Sequence, residues 1–296
     1  MKAKVYFTRE ITPEKVVEMY DAMGVELPGK VAVKVHSGEK GNQNFLRPEF
    51  WRPMVDKVQG TIVECNTAYG DATTGVRDNT PEHLKLIEEH GWTKYFDVDL
   101  MDAEGPDVTW PIPDGKILKE NKLGKHIENY DSMLVLAHFK GHPMGGYGGA
   151  LKQLAIGCAS RAGKALIHSE GKTDDRFETW QQHADSVAFP EAMADAASSV
   201  TEHFKGKIAF INVMKNLSVD CDCCAVAEDP CMKDIGILAS TDPVAIDQAC
   251  MDLVMNSDDP GKDHFMERVN SRNGIHTIEA AADLGVGSRE YELIEI

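Results

Sequence analysis

The residues of this 296-residue chain that most invite chemistry are its seven cysteines: Cys65, Cys158, Cys221, Cys223, Cys224, Cys231 and Cys250. Four of them crowd into the stretch Asn212–Asp234, NVMKNLSVDCDCCAVAEDPCMKD. Thiolates are ligands for zinc and for iron–sulfur clusters. In C-x-C the two thiolates can both face one metal when the backbone between them is extended, and Cys224 and Cys231 raise the supply to four. The spacing C-x-C-C-x6-C matches neither a zinc ribbon nor the ferredoxin run, so spacing leaves the metal open. A metal-free redox thiol pair is the rival reading of the same residues. Burial as small hydrophobes suits Cys65 and Cys250. Taken alone, Cys158 reads as a packed small residue and His168 as a hydrogen-bonded structural histidine.

A second chemical stretch is Leu136–His168, LAHFKGHPMGGYGGALKQLAIGCASRAGKALIH. An apolar run ends in His138, Lys140 and His142. Gly145, Gly146, Gly148 and Gly149 follow, and then an expected helix carrying Lys152. Glycines let a ligand approach the backbone, and a helix N-terminus offers free N–H groups to an anion. Lys140, Lys152, Arg161 and Lys164 add positive charge. The functional reading is a site for a small anionic substrate or a phosphate-bearing cofactor; the bland one is a tight turn with solvated lysines. Two polar loops, Lys34–Asn44 (with His36, Glu39 and Asn42) and Asn66–Arg77 (with Tyr69, Asp71 and Arg77), can line a pocket or simply face water. Asp247 and Asp252 read as carboxylates on a helix face. The chain has no G-x-S-x-G, P-loop or H-E-x-x-H motif, which disfavours those chemistries.

These segments need elements to position them. Apolar, β-branched runs predict strands over Lys4–Phe7, Val31–His36, Gly60–Cys65, Ser132–Ala137, Lys207–Val213 and Ile235–Ala239. Thr12-Pro13-Glu14, Thr80-Pro81-Glu82 and Asp242-Pro243 predict helix starts, with His90-Gly91 closing the second. A longer helix is expected over Phe189–Phe204. Strands alternating with helices predict an α/β fold with a largely parallel sheet flanked by helices. In such sheets ligands bind beyond the carboxyl ends of the strands. The unusual loops Ser37–Asn44, Asn66–Thr74, Phe139–Gly149 and Lys215–Asp234 each begin where an apolar run stops, which predicts one shared site. Proline and glycine near Val108–Lys116 mark a boundary between two lobes of a single unit.

The apolar fraction of 42% and charged fraction of 27% are those of a globular protein. A formal net charge of −17, with no Lys/Arg block, argues against nucleic acid and anionic membranes as partners. No apolar run reaches the roughly 20 residues that span a bilayer. The charged start MKAKVYFTRE does not resemble a signal peptide, so a cytoplasmic location is expected, where thiols stay reduced.

The strings KVHSGEKGN, HFKGH…GGYGGALKQLAIGCASRAGK…H and DCDC…DIGILASTDPVAIDQA…DLV resemble the bacterial and archaeal family known as domain of unknown function 362. The resemblance runs from about residue 30 to residue 255. Many of its members carry an inserted pair of ferredoxin-type cluster motifs and are described as iron–sulfur proteins. This chain departs there, because Lys172–Ala184 holds no cysteine. The candidates that the resemblance carries over are Cys158, Cys221 and Cys223, with Cys224 and Cys231 as additions of this chain. The glycine loop and Lys152 are also similar to the lactate racemase family, which binds a nickel-pincer nucleotide.

The leading expectation is a metalloenzyme doing redox or Lewis-acid chemistry. Cys221, Cys223, Cys158 and one of Cys224, Cys231 or His168 would hold an iron–sulfur cluster, 4Fe-4S in type, or alternatively zinc. His138, His142 and Lys152 are the catalytic candidates, and the glycine loop with Lys140, Arg161 and Lys164 would hold the anion. An electron-transfer partner fits the cluster reading. The rivals are a non-catalytic protein with a structural or handled zinc ion, and a metal-free thiol redox enzyme.

Overall fold

The computed structural model describes residues 2–71, 74–181 and 184–296. Twelve strands occur among these residues: β1 Ala3–Thr8, β2 Val31–Lys34, β3 Thr61–Glu64, β4 Val98–Leu100, β5 Val108–Pro111, β6 Glu120–Leu123, β7 Ser132–His138, β8 Lys140–His142, β9 Gly146–Gly148, β10 Ile208–Met214, β11 Gly236–Ser240 and β12 Tyr291–Glu295. Eight of them form one sheet in the order β12-β1-β11-β10-β7-β2-β3-β4. Within it β11 alone runs against the others, pairing antiparallel with β1 and β10. The pairs β10–β7, β7–β2, β2–β3 and β3–β4 are parallel. This is the largely parallel α/β architecture that the sequence predicts.

The inner strands read as unbroken apolar runs because both faces are covered. Leu134 and Leu136 of β7 join a core on one face with Val31 and Val33 of β2, while Met133 and Val135 point into the opposite core with Ala32. Period-two alternation therefore feeds two cores from a single strand. Helices α1 (Pro13–Met23), α2 (Pro48–Val58) and α3 (Thr80–Glu89) supply Met19, Trp51 and Ile87 to the first core. The second core takes its helical side chains from later in the chain. Helix α4 (Ala150–Lys152) continues into a π-helical turn over Gln153–Gly157, and α5 is Arg161–His168. After the short α6 (Arg176–Thr179) come α7 (Ala188–His203), α8 (Pro243–Met255), α9 (Lys262–Ser271) and α10 (Ile275–Asp283).

Local signals act mostly where the sequence puts them. The Thr12 side chain accepts from Lys15 N at 3.2 Å to cap α1, and Asp242 caps α8 through Val244 and Ala245, both at 2.9 Å. For α3 the cap lies one residue before the expected Thr80: Asn79 Oδ1 accepts from Glu82 N at 3.1 Å. Val108–Pro111 forms the outer strand of the β5–β6 hairpin, and strands from before and after it share the large sheet. No helix among the described residues is long and apolar enough to cross a membrane.

Four neighbouring parallel strands, β10, β7, β2 and β3, end at the same edge of the sheet. From that edge emerge the Lys215–Asp234, Phe139–Gly149, Val35–Asn44 and Asn66–Arg77 segments, of which Ala72 and Thr73 lie outside the described residues. Sheet order alone thus brings the four chemically unusual loops together.

Candidate functional site

The four loops enclose a cavity of about 710 Å³, and each contributes a lining side chain: Cys223, His142, His36 and Tyr69. Against its wall the ligand atoms of His36, Cys221 and Cys223 all lie within 4.8 Å of one another. Two of these are the expected thiols. The third, His36, had a place on the pocket wall in the sequence but not among the metal ligands. Its signal was position: it follows the end of β2, which sits beside the strands that deliver the other loops.

The Cys221–Cys224 backbone is a β-turn and not the extended segment expected of C-x-C, since Cys224 N–H donates to Cys221 O at 2.9 Å. The turn aims Cys223 N–H at Cys221 Sγ, 3.3 Å away. Asp222, at its corner, is buried and takes the His138 Nδ1 at 3.0 Å and Lys140 Nζ at 3.1 Å. Burial pushes the Asp222 carboxyl up, but His138 and Lys140 overcome this and hold it far below the usual range. From the next loop Asn42 Nδ2 donates to the carbonyls of Cys221 (3.3 Å) and Cys224 (2.9 Å), and Tyr69 Oη donates to Cys223 O at 2.6 Å. The cysteine turn is pinned from three sides.

Burial pushes the Cys221 thiol up to about 11, helped by its bond with Cys223 and opposed by Lys152. For Cys223 the bond to Cys221 pulls down while Cys224 and burial push up, again to about 11. Both thiols thus need a nearby cation to ionise. Lys152 Nζ is 3.9 Å from Cys221 Sγ. His142 Nδ1 accepts from Met144 N (3.2 Å) and Gly145 N (2.8 Å), so its ring proton sits on Nε2, which faces Cys223 Sγ at 3.7 Å. Burial and Lys152 lower His142 to about 4. His36 is held well below its ordinary value by burial and Arg77, which keeps the imidazole neutral, as a metal ligand must be.

Buried ion pairs line the adjoining wall. Lys34 Nζ meets Glu64 at 2.7 Å, and Arg77 Nε meets Glu39 at 2.9 Å. Lys152 and Lys164 also line the cavity, and among the described residues neither has a carboxylate within 4 Å. Among the described residues Lys164 Nζ donates to Ala159 O at 2.6 Å, and burial lowers its pKa. His168 lines the cavity with its Nδ1 buried and unpartnered, and burial with Lys152 brings it to about 3.

Other expected residues stand elsewhere. His138 is not on the cavity wall: Asp222 and the Lys215 carbonyl, at 2.5 Å from Nε2, occupy both its ring nitrogens. Cys158 is fully buried beside Cys65, whose thiol donates to its carbonyl at 3.5 Å, and is outside the His36–Cys221–Cys223 group. Cys231 Sγ donates to Leu217 O at 3.3 Å, also outside it, while Cys224 lines the cavity. Arg161 donates to Asp78 O at 2.7 Å and does not line the cavity. Gly148 and Gly149 do line it. Gly145 and Gly146 instead make packing room, since a Cβ on Gly146 would come within 2.9 Å of Gly274.

The expected anion seat at the N-terminus of α4 is already filled by the chain itself. The Asp247 carboxylate accepts from Ala150 N at 2.8 Å and Leu151 N at 3.0 Å, and also from Asn212 Nδ2 at 2.7 Å and Tyr147 Oη at 3.1 Å. Asp247 is buried, not solvated on a helix face. Gly149 is required because a Cβ there would lie 2.4 Å from Asp247 Oδ1. The positive character of the cavity comes from lysine side chains instead.

The lactate racemase apoprotein from Thermoanaerobacterium thermosaccharolyticum is similar in structure, with 13% identity and a TM-score of 0.42 over 70% of this chain and 50% of that one. A protein from Thermotoga maritima shares 11% identity at a TM-score of 0.44, over 92% of this chain and 58% of that one. The chain therefore spans only about half the length of these two proteins. No curated protein matches it. The family model Domain of unknown function (DUF362) matches residues 31–252, a span that holds every residue lining the cavity, and the chain belongs to that family.

Proposed function

We propose that this protein is a metal-dependent enzyme acting on a small anionic substrate, with the metal held by His36, Cys221 and Cys223. The carrying observation is that one neutral imidazole and two thiols gather within 4.8 Å beside a cavity lined by His36 and Cys223, which also presents two lysines without carboxylate partners among the described residues. Three protein ligands with room beside them suit a catalytic divalent ion of the zinc type, which would polarise a substrate oxygen and lower the pKa of a bound water. One nitrogen and two sulfurs fit such an ion better than a 4Fe-4S cluster, which takes thiolates throughout.

The chain's own groups divide the remaining work. Lys152 and the His142 Nε2–H supply positive charge and a hydrogen bond to the two sulfurs, which favours the thiolate forms and tunes the ligands. With its proton committed to Cys223 and its Nδ1 to two backbone donors, His142 is a partner of the thiolate and not a free base. Lys152 and Lys164 attract and orient the anion, and Lys152, lying between sulfur and cavity, is the group best placed to hand a proton to bound substrate.

Elemental analysis of protein purified without oxygen tests the reading, with Cys221→Ser and His36→Ala beside wild type. About one zinc-like ion per chain in wild type, lost from both variants, is expected. Iron with sulfide and broad visible absorption would replace the single ion with a cluster. Metal-free wild-type protein with a reactive Cys224 would transfer the chemistry to the thiols and sink the proposal.

A further inference from the structure

The charged end of the cavity accounts for an anion, but not for the chemistry of its mouth. Eight large apolar side chains are exposed among the described residues. Three of them, Phe177 (70% exposed), Trp180 (41%) and Val226 (89%), line this one cavity. They include both aromatic members of the set and the most exposed of all. Exposed apolar residues scattered singly need no explanation, but a cluster at the opening of a binding cavity does.

The cluster continues inward as a string of rings. Tyr69 meets Trp180 edge-on, with centroids 6.3 Å apart at 73°. Trp180 lies 5.2 Å from the His168 ring, which stacks on buried Phe189 at 4.9 Å and 19°. Tyr69 is fixed through its hydroxyl to the Cys223 carbonyl, so the string starts beside the thiols. Phe177 is held by the Arg176 guanidinium 4.6 Å above its ring, and Arg176 is anchored on Asp78 at 2.7 Å. Val226 is carried by a different segment, the cysteine loop. The two aromatic groups among these exposed lining residues thus have fixed supports, while Lys164 is buried in the same cavity wall.

We propose that the ligand is an organic anion with an aromatic body, its charged group on Lys152 and Lys164 and its ring between Trp180, Phe177 and Val226. This rests on the anion-binding reading above and extends it to the uncharged part of the ligand. A short-chain acid or inorganic anion would leave the mouth empty and the three apolar side chains in water. A planar ring would cover them and meet the edge or face of Trp180 in the geometries aromatic pairs favour. The neutral His168 completes the inner wall without adding charge against the ring.

Isothermal titration calorimetry with phenyl phosphate and methyl phosphate decides the matter, since the two share a charged group and differ in the body. Wild type is expected to bind phenyl phosphate about tenfold more tightly than methyl phosphate, the scale of burying one ring partway. The double variant Phe177→Ala, Trp180→Ala should erase that difference and leave methyl phosphate within about twofold of wild type. Lys152→Gln should weaken both ligands about tenfold. Equal binding of the two phosphates by wild type, or a phenyl preference that survives the double substitution, would overturn this inference and leave the anion reading standing. Binding of neither would overturn the anion reading and this inference with it.

Discussion

Asp222 is the residue on which the cysteine turn depends, though it is the unnamed x of C-x-C. Its side chain is buried between the His138 imidazole and the Lys140 ammonium, and its carbonyl accepts from Glu39 N at 2.8 Å. The carboxylate thus ties the turn to the end of β7 and to β8, and the backbone carbonyl ties it to the loop after β2. Removing the carboxylate leaves the buried Lys140 ammonium charged and unpaired, which costs about 3–5 kcal/mol. Asp222→Asn is expected to lose that much stability in urea denaturation and to weaken metal retention with it, because the turn that presents both thiols loses its ionic tie and keeps only the bonds to its backbone. A loss below about 1 kcal/mol would mean that the charges at this corner are solvated. The sequence presented Asp222 as a spacer and His138 as a catalytic candidate. Their burial, and the cross-loop pairing that follows from it, is a tertiary fact that no local pattern carries.

At the scale of elements, what was legible and what was not have one physical cause. All six expected strands form, because strands buried on one or both faces must carry mostly apolar residues, and that signature is local. The edge strands β4 and β12, VDL and YELIE, were missed because an edge is half exposed and its residues alternate with charge. That the four odd loops meet was predictable, since parallel strands end together. Which atoms inside them meet was not: His36 joins Cys221 and Cys223, whereas Cys158 and Cys231 stay apart. The glycine loop shows the same limit. Gly149 is needed, but by Asp247, whose carboxylate takes the free N–H groups of Ala150 and Leu151. Asp247→Ala removes four hydrogen bonds at the junction of β9, α4, β10 and α8. It is expected to destabilise the fold by about 2–4 kcal/mol, the scale of a lost cap plus donors left buried. Thermal and urea unfolding measure this. If the empty cap instead bound phosphate and phosphate restored the lost stability, the seat would be an anion site that Asp247 merely closes.

The whole molecule holds several titratable groups in the protonation state that burial favours, and this sets how it responds to acid. Burial, with nearby cations, brings His83 and His168 to about 3 and His142 to about 4. The unfolded chain binds their protons near pH 6.5. Their contribution to stability is therefore complete above about pH 6.5 and is lost as the pH falls toward the folded values. Asp247 works the other way. Burial raises it to about 6 in spite of its four donors, so the native state keeps a proton that the unfolded chain gives up down to about pH 4. Between about pH 6 and 4 these three histidines, less Asp247, make the unfolded state bind about two protons more than the native state, each costing about 1.4 kcal/mol per pH unit. His36, held well below its ordinary value by burial and Arg77, adds to the same side. Glu64 adds its share lower down. Burial alone would raise it, but Lys34 and Arg77 hold it at about 2, so its contribution lasts above about pH 4.5 and fades below that. Stability is expected to fall steeply from about pH 6 downward, by at least about 4 kcal/mol at pH 4.5, close to the lower end of the 5–15 kcal/mol typical of a whole domain. Urea denaturation at half-unit steps of pH measures the slope directly. Replacing the buried His83 with Gln, which keeps a polar group near Asn66 without the titration, should remove about one proton from it. An unchanged slope in that variant would mean that His83 takes up its proton in the native state and contributes nothing to the acid sensitivity.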